Sequence, residues 1–342
     1  MSRVAERTGY RVRAYQDRDE PDVLELLRAS LGEGPAGERT PEFFRWKHLE
    51  NPFGRSFMLV AEEEGRIIGL RAFLRWILRT GDRELRAVRA VDTATHPEFR
   101  GMGVFSRLTL EALGALREEA DLVFNTPNAK SLPGYLKMGW RKVGRVPVWI
   151  RVRRPVTFAR GLRSLDRPAA RGRAGPPPGG EEASTALREE GLSLLREDAV
   201  APGDAWATPR SSEYLRWRYG RAPGLGYRVV RDEVAGEVRG MAIYRVRPRG
   251  SLWESTIAEV IVRRGDAVTA GRLLRAAALA SPVDHAAFSI PGRWAGSGVR
   301  RAGYLRAPRG MTLVAKTLTE GIEPDPKQMG SWALSLGDLE VF

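Results

Sequence analysis

AVDTATHPEFRGMGVFSR, residues 90–107, joins a strand to a helix through a basic turn that carries two glycines. Ala90 to Thr95 is apolar and β-branched enough for a strand, and Pro97 ends it. From Gly103 to about Arg117 the residues Val104, Leu108, Ala112 and Leu116 recur at helical spacing, so the turn opens a helix. The first N–H groups of a helix lack internal partners and lie at the positive end of its dipole. With Arg100 beside them they suit a phosphate, which makes this turn the expected centre of the chemistry.

Upstream, Tyr10 to Ala14 reads as a first strand, and Asp19-Glu20-Pro21 starts a helix that carries Val23, Leu24, Leu27 and Leu31 and closes at Gly32. Thr40-Pro41-Glu42 repeats the start signal for a helix with Phe43, Trp46 and Leu49, which stops near Asn51-Pro52-Phe53-Gly54. Phe57 to Ala61 and Arg66 to Trp76 flank a turn at Glu64-Gly65 as an antiparallel hairpin, and Glu84 to Thr95 is the third β run. Downstream come a strand at 121–125, a short helical stretch from Asn128 to Tyr135, and a final β segment from Trp140 to Arg153. The order describes an α+β arrangement on one sheet.

Residues 156–186 hold Pro176-Pro177-Pro178-Gly179-Gly180 among arginines and alanines and read as a linker. Beyond it the first half returns in weakened form. Ser211-Ser212-Glu213-Tyr214-Leu215-Arg216-Trp217 overlies Thr40-Pro41-Glu42-Phe43-Phe44-Arg45-Trp46, and Gly236 and Gly240 overlie Gly65 and Gly69 at the same shift. Further on, Arg264-Gly265 overlies Arg100-Gly101, Phe288 overlies Phe124, and Gly303-Tyr304 overlies Gly139-Trp140. The expected organisation is a domain at 1–155, the linker, a degenerate copy at 187–318, and a tail at 319–342 that packs back as a strand.

At 342 residues the chain has room for two such domains, and it has no apolar run near the roughly 20 residues of a membrane span. Cysteine is absent and the first residues lack an apolar signal region, so the expected location is cytoplasmic. His48, His96 and His285 have no metal-ligand spacing, and no metal is expected. The net charge of +14 is scattered, with acids interspersed, and reads as a solvated surface of an arginine-rich chain more than as a nucleic-acid interface; it would still draw an anionic ligand such as a phosphorylated cofactor, and a polyanion stays open.

Two motifs carry a resemblance to the GNAT superfamily of N-acetyltransferases. Arg100-Gly101-Met102-Gly103-Val104-Phe105 resembles the family's acyl-CoA loop up to its last position. There Phe105 replaces a small residue, which crowds the pyrophosphate unless its side chain turns into the core. Asn128, Ser131, Tyr135, Gly139 and Trp140 meet each spaced position of a second signature. The resemblance covers roughly residues 10 to 155, with 187–318 as a degraded echo. It implies two tandem GNAT-like domains, each a mixed, mostly antiparallel twisted sheet flanked by helices.

It also implies acetyl-CoA, or another short acyl-CoA, as co-substrate and a small-molecule or peptide amine as acceptor, with a homodimer left open. Val91, Asp92 and Thr93 would lie along the pantetheine, the amides of Arg100 to Phe105 would hold the pyrophosphate, and Asn128 and Ser131 would also touch the cofactor. Tyr135 is the candidate acid for the departing thiolate, and Asp92, then Glu98, the candidate base for the amine. In the second copy Asp266 and Ala267 replace the loop, so only the first is expected to bind acyl-CoA. A tRNA-dependent peptidyl transferase and a non-catalytic acyl-CoA sensor are the rival readings.

Overall fold

The computed structural model describes residues 9–33, 39–165, 175–188, 204–263, 265–289, 295–308 and 310–339, with 295–297 by backbone alone. The first half runs β1 (Arg11–Ala14), α1 (Glu20–Leu31), α2 (Pro41–His48), β2 (Phe57–Glu63), β3 (Arg66–Thr80), β4 (Arg83–Thr95), α3 (Val104–Ala115), β5 (Leu122–Asn125), α4 (Leu132–Lys137), β6 (Arg141–Val146) and β7 (Trp149–Val152). Local chemistry sets these limits. Thr40 accepts the Phe43 N–H at 3.2 Å to start α2, and Glu64 (φ 50) and Gly65 (φ 80) supply the two left-handed residues of a type I′ hairpin turn.

The second half continues with α5 (Pro155–Gly161), β8 (Glu181–Glu182), α6 (Ala183–Ala186), α7 (Ser212–Leu215), β9 (Arg228–Val234), β10 (Glu237–Arg249), β11 (Leu252–Val262), α8 (Ala267–Leu279), β12 (His285–Phe288), α9 (Ala295–Arg301), β13 (Leu305–Arg306), β14 (Met311–Thr317) and α10 (Leu336–Leu339). Ser211 caps α7 through the Tyr214 N–H, as Thr40 caps α2. Ala235 (φ 52) and Gly236 (φ 79) repeat the hairpin turn.

Two seven-stranded sheets result, in the orders β1-β2-β3-β4-β5-β14-β6 and β8-β9-β10-β11-β12-β7-β13. The only parallel pairs among the described strands are β4 with β5 and β11 with β12. The α+β class and the mostly antiparallel sheets therefore match the expectation. The halves exchange a strand: β14 pairs with β5 and β6, and β7 pairs with β12 and β13. Segments 1–155 and 187–318 thus do not each enclose a sheet. The expected single β segment from Trp140 to Arg153 divides at Pro147, which has no N–H for a ladder, and its two parts enter different sheets.

The linker is also shorter than 156–186, since α5 occupies its start and β8 its end, where it pairs with β9. Of the tail, Trp332, Leu334, Leu336 and Leu339 are buried. It packs by one β-bridge, Trp332 to Trp206, and by α10, in place of the expected strand. Phe342 lies outside the described residues.

One face of the first sheet packs on α3 through Ile68, Phe73, Val88, Leu108 and Ala112. The other face, with α1 and α2, shares one continuous core with the second sheet. The two repeated tryptophans meet there. Trp46 Nε1 donates to the Trp217 carbonyl at 2.7 Å, Trp217 Nε1 donates to the Trp46 carbonyl at 2.8 Å, and the rings stack 5.3 Å apart.

Candidate active site

The loop at 100–103 depends on its glycines. Gly101 (φ 85) and Gly103 (φ 76) are left-handed, a region where a side chain is strained, and Gly103 opens α3 with no side-chain cap. Among the described residues no side chain caps the first N–H groups of α3. Arg100 ties the loop to α1 by donating from Nη2 to the Ser30 carbonyl at 3.4 Å. Met102 and Phe105 pack against the α3 core, and the Phe105 ring meets Tyr135 edge-on at 5.7 Å. The Phe105 side chain thus points away from the loop and leaves its backbone uncrowded. Gly134 makes room for it, since a Cβ there would come within 2.9 Å of the ring.

Beside the loop, β4 parts from β5. Their ladder spans only Ala87↔Leu122 to Arg89↔Phe124, while β4 continues to Thr95 paired with β3 alone. Among the described residues no second strand pairs with β4 from Ala90 onward, and at its end the Thr95 carbonyl accepts from the Ser30 hydroxyl at 3.1 Å. The stretch from Ala90 carries Val91, Asp92 and Thr93, and a register shift in the β3–β4 ladder with Asp92 at φ 39 marks a bulge there.

The bulge sends two neighbouring side chains to different environments. Asp92 turns toward α2, where its Oδ2 accepts from Lys47 Nζ at 2.6 Å and from His48 Nε2 at 2.9 Å, with Arg39 Nη1 3.6 Å from Oδ1. His48 Nδ1 is left to accept from the Ser56 hydroxyl at 2.9 Å. Burial alone would raise the Asp92 pKa, but Lys47, His48 and Arg39 outweigh it and hold the carboxyl well below the usual range. Burial lowers both Lys47 and His48, against the pull of Asp92, and leaves His48 neutral at pH 7. A carboxylate so engaged is a poor proton acceptor. These contacts speak against the expected basic role of Asp92.

Thr93 faces the α3 side and meets Tyr135 through Arg71 of β3. Arg71 Nη1 donates to the Tyr135 hydroxyl oxygen at 3.0 Å and to Thr93 Oγ1. Tyr135 is 4% exposed, held by Phe105 and by Trp140 at 5.1 Å. Asn128 Oδ1 accepts the Lys130 and Ser131 N–H groups at 3.0 and 2.9 Å, shaping the turn into α4. Glu98 stands apart. Its side chain is 68% exposed and contacts Arg66 and His96, neither of which belongs to the Thr93–Tyr135 cluster. Among the described residues there is no group of three or more histidine or acidic side chains placed for a metal.

In the second half the corresponding helix start carries a side-chain cap. Asp266 Oδ1 accepts the Thr269 N–H at 2.9 Å, so a side-chain oxygen fills the N-terminus of α8. Arg264 lies outside the described residues.

Residues 11–143 match the family model of the acetyltransferase (GNAT) domain. This part of the chain is similar to that domain. The match takes in the loop, the β4 stretch from Ala90 onward, Arg71 and Tyr135. Among solved structures, a probable N-acyltransferase from Enterococcus faecalis is similar with a TM-score of 0.64 at 14% identity, over 91% of this chain and 73% of that one. GCN5-related N-acetyltransferases from Anabaena variabilis and Kribbella flavida are similar with TM-scores of 0.60 and 0.55 at 14% and 15% identity; they cover 91% and 90% of this chain and 73% and 71% of theirs. At such identities the likeness speaks for the fold, and it extends well beyond residues 11–143 into the second half. A search of curated protein sequences gave no significant match.

Three polar residues of the matched segment stand outside the motifs legible in the sequence. Lys47 and His48 lie in an amphipathic helix whose pattern hides their burial, and Arg71 interrupts an apolar strand, a signal that reads equally well as a surface position.

Proposed function

We propose that the chain transfers an acyl group, acetyl in the first place, from acyl-CoA to a primary amine. The observation that carries the reading is the contrast between two helix starts: α3 has no side-chain cap behind Gly101 and Gly103 inside the matched segment, whereas α8 is capped by Asp266. A pyrophosphate at the first site would accept the N–H groups of α3, with Arg100 adding charge. The pantetheine would lie along the edge of β4 at Val91 to Thr93, and amide donors there would polarise the thioester carbonyl. Asn128 and Ser131 frame the turn that brings Tyr135 to this edge.

In the reaction the neutral amine attacks the carbonyl carbon, the C–S bond breaks, and its electron pair leaves on sulfur. Tyr135 supplies a proton to that sulfur. The amine's own proton passes to solvent, because Asp92 is engaged and Glu98 lies apart. The second half, whose α8 start is capped by Asp266, shapes the acceptor side through the shared core. The test is a panel of amines with acetyl-CoA and detection of free CoA thiol. Thiol release with at least one amine is expected, and acetyl-CoA binding without release from any amine would favour a sensor.

A further inference from the structure

Arg71 is 0% exposed, yet its Nε and Nη2 have no hydrogen-bond partner and no carboxylate pairs with it among the described residues. Only the third nitrogen is engaged, on the oxygens of Tyr135 and Thr93. The guanidinium lies 4.3 Å from the Phe73 ring centroid, 5.5 Å from that of Tyr135 and 6.0 Å from that of Phe105. Aromatic faces attract a cation, but they do not satisfy its N–H donors. An unpaired buried charge is costly, so this arrangement calls for an anion that none of the described residues provides. Arg89, the other fully buried arginine of the sheet, sits between Trp76 and Phe124 and touches no candidate site residue. Arg71 alone joins two of them.

We propose that Arg71 is a catalytic residue whose free N–H groups take up the negative charge that forms on the CoA sulfur. The proposal rests on the acyl-CoA reading and deepens it. As the C–S bond breaks, the electron pair moves to sulfur, within reach of a cation that already donates to Tyr135. Because Arg71 fills a lone pair on the Tyr135 oxygen, the tyrosine O–H is directed elsewhere, toward sulfur. When that proton moves, the tyrosinate left behind is paired with the same guanidinium, and a proton from solvent restores it. Both negative charges of the step are met by one preformed cation.

The test uses the product, so it does not depend on turnover. Coenzyme A, and desulfo-coenzyme A lacking the thiol, are titrated into the full chain across pH, with thiolate followed by its ultraviolet absorption. The thiol of bound CoA should ionise at lower pH than that of free CoA. Through charge-assisted hydrogen bonds this corresponds to about ten- to a hundredfold tighter binding of the thiolate than of the desulfo analogue. Arg71→Met should abolish the difference while leaving desulfo-CoA affinity unchanged, and Arg71→Lys should restore part of it. Arg71→Met should also keep or raise the unfolding temperature, since it removes an uncompensated charge. A merely structural arginine would instead lower it. A bound thiol that ionises like free CoA in the wild-type chain overturns the role of Arg71 and leaves the acyl-CoA reading standing. No binding of either molecule overturns that reading as well.

Discussion

Asp92 keeps its charge inside a cage of Lys47, His48 and Arg39, and that cage decides what a change there does. Asp92→Asn leaves Lys47 buried without a counter-charge and should cost about 3–5 kcal/mol of stability, measured by denaturant unfolding. The pH dependence follows from the sign of the shift. The folded pKa of Asp92 lies below its unfolded value of about 3.9, so its contribution is complete above that pH and is lost as pH falls through the folded value. Stability should therefore fall away below about pH 4 in the wild-type chain and less steeply in Asp92→Asn. Tyr135→Phe acts on the chemistry instead. Turnover should drop by about 10²–10⁴-fold with little change in acyl-CoA affinity, and unchanged turnover would remove Tyr135 from the mechanism. Tyr135 was legible because it sits at a fixed spacing from Asn128 and Trp140. Arg71 was not, because its partner Tyr135 lies 64 positions away on α4 and meets it only in the folded chain.

Strand and helix ends were legible wherever one residue fixes them. Thr40 and Ser211 cap helices, and Gly65 and Gly236 turn hairpins, because each supplies a local hydrogen bond or a left-handed backbone that few residues can. The same reasoning makes Gly103 testable. Nothing lies within 4 Å of the place its Cβ would occupy, so Gly103→Ala should cost only the left-handed strain, about 1–2 kcal/mol. It should weaken acyl-CoA binding by more than it weakens the fold, since it changes the turn that presents the α3 amides. Asp266→Ala, by contrast, should cost about 1 kcal/mol as a lost cap and leave acyl-CoA affinity unaltered. The division of 140–153 into β6 and β7 was harder to read. Apolar pattern fixes which face of a strand is buried but not which sheet receives it, and Pro147 gave the only local hint.

Across the whole molecule, the exchange of β7 and β14 ties each half's sheet to the other's chain. The Trp46–Trp217 pair adds a mutual hydrogen bond and a stacked contact at the centre of the shared core. The repeat of residues 40–46 at 211–217 was visible in the sequence, but that the copies face one another was not, because spacing along the chain does not encode contact between elements. Calorimetry should accordingly show a single cooperative unfolding transition, and two separate transitions would contradict the interlocked arrangement. The central claim is that one acyl-CoA binds per chain, at the uncapped start of α3. Isothermal titration with acetyl-CoA tests it most directly. One site per chain, lost or strongly weakened in Gly103→Ala and retained in Asp266→Ala, with a stabilisation of about 2.7 kcal/mol at a hundred times the dissociation constant, is the predicted result. No binding, or two equivalents per chain, would contradict it.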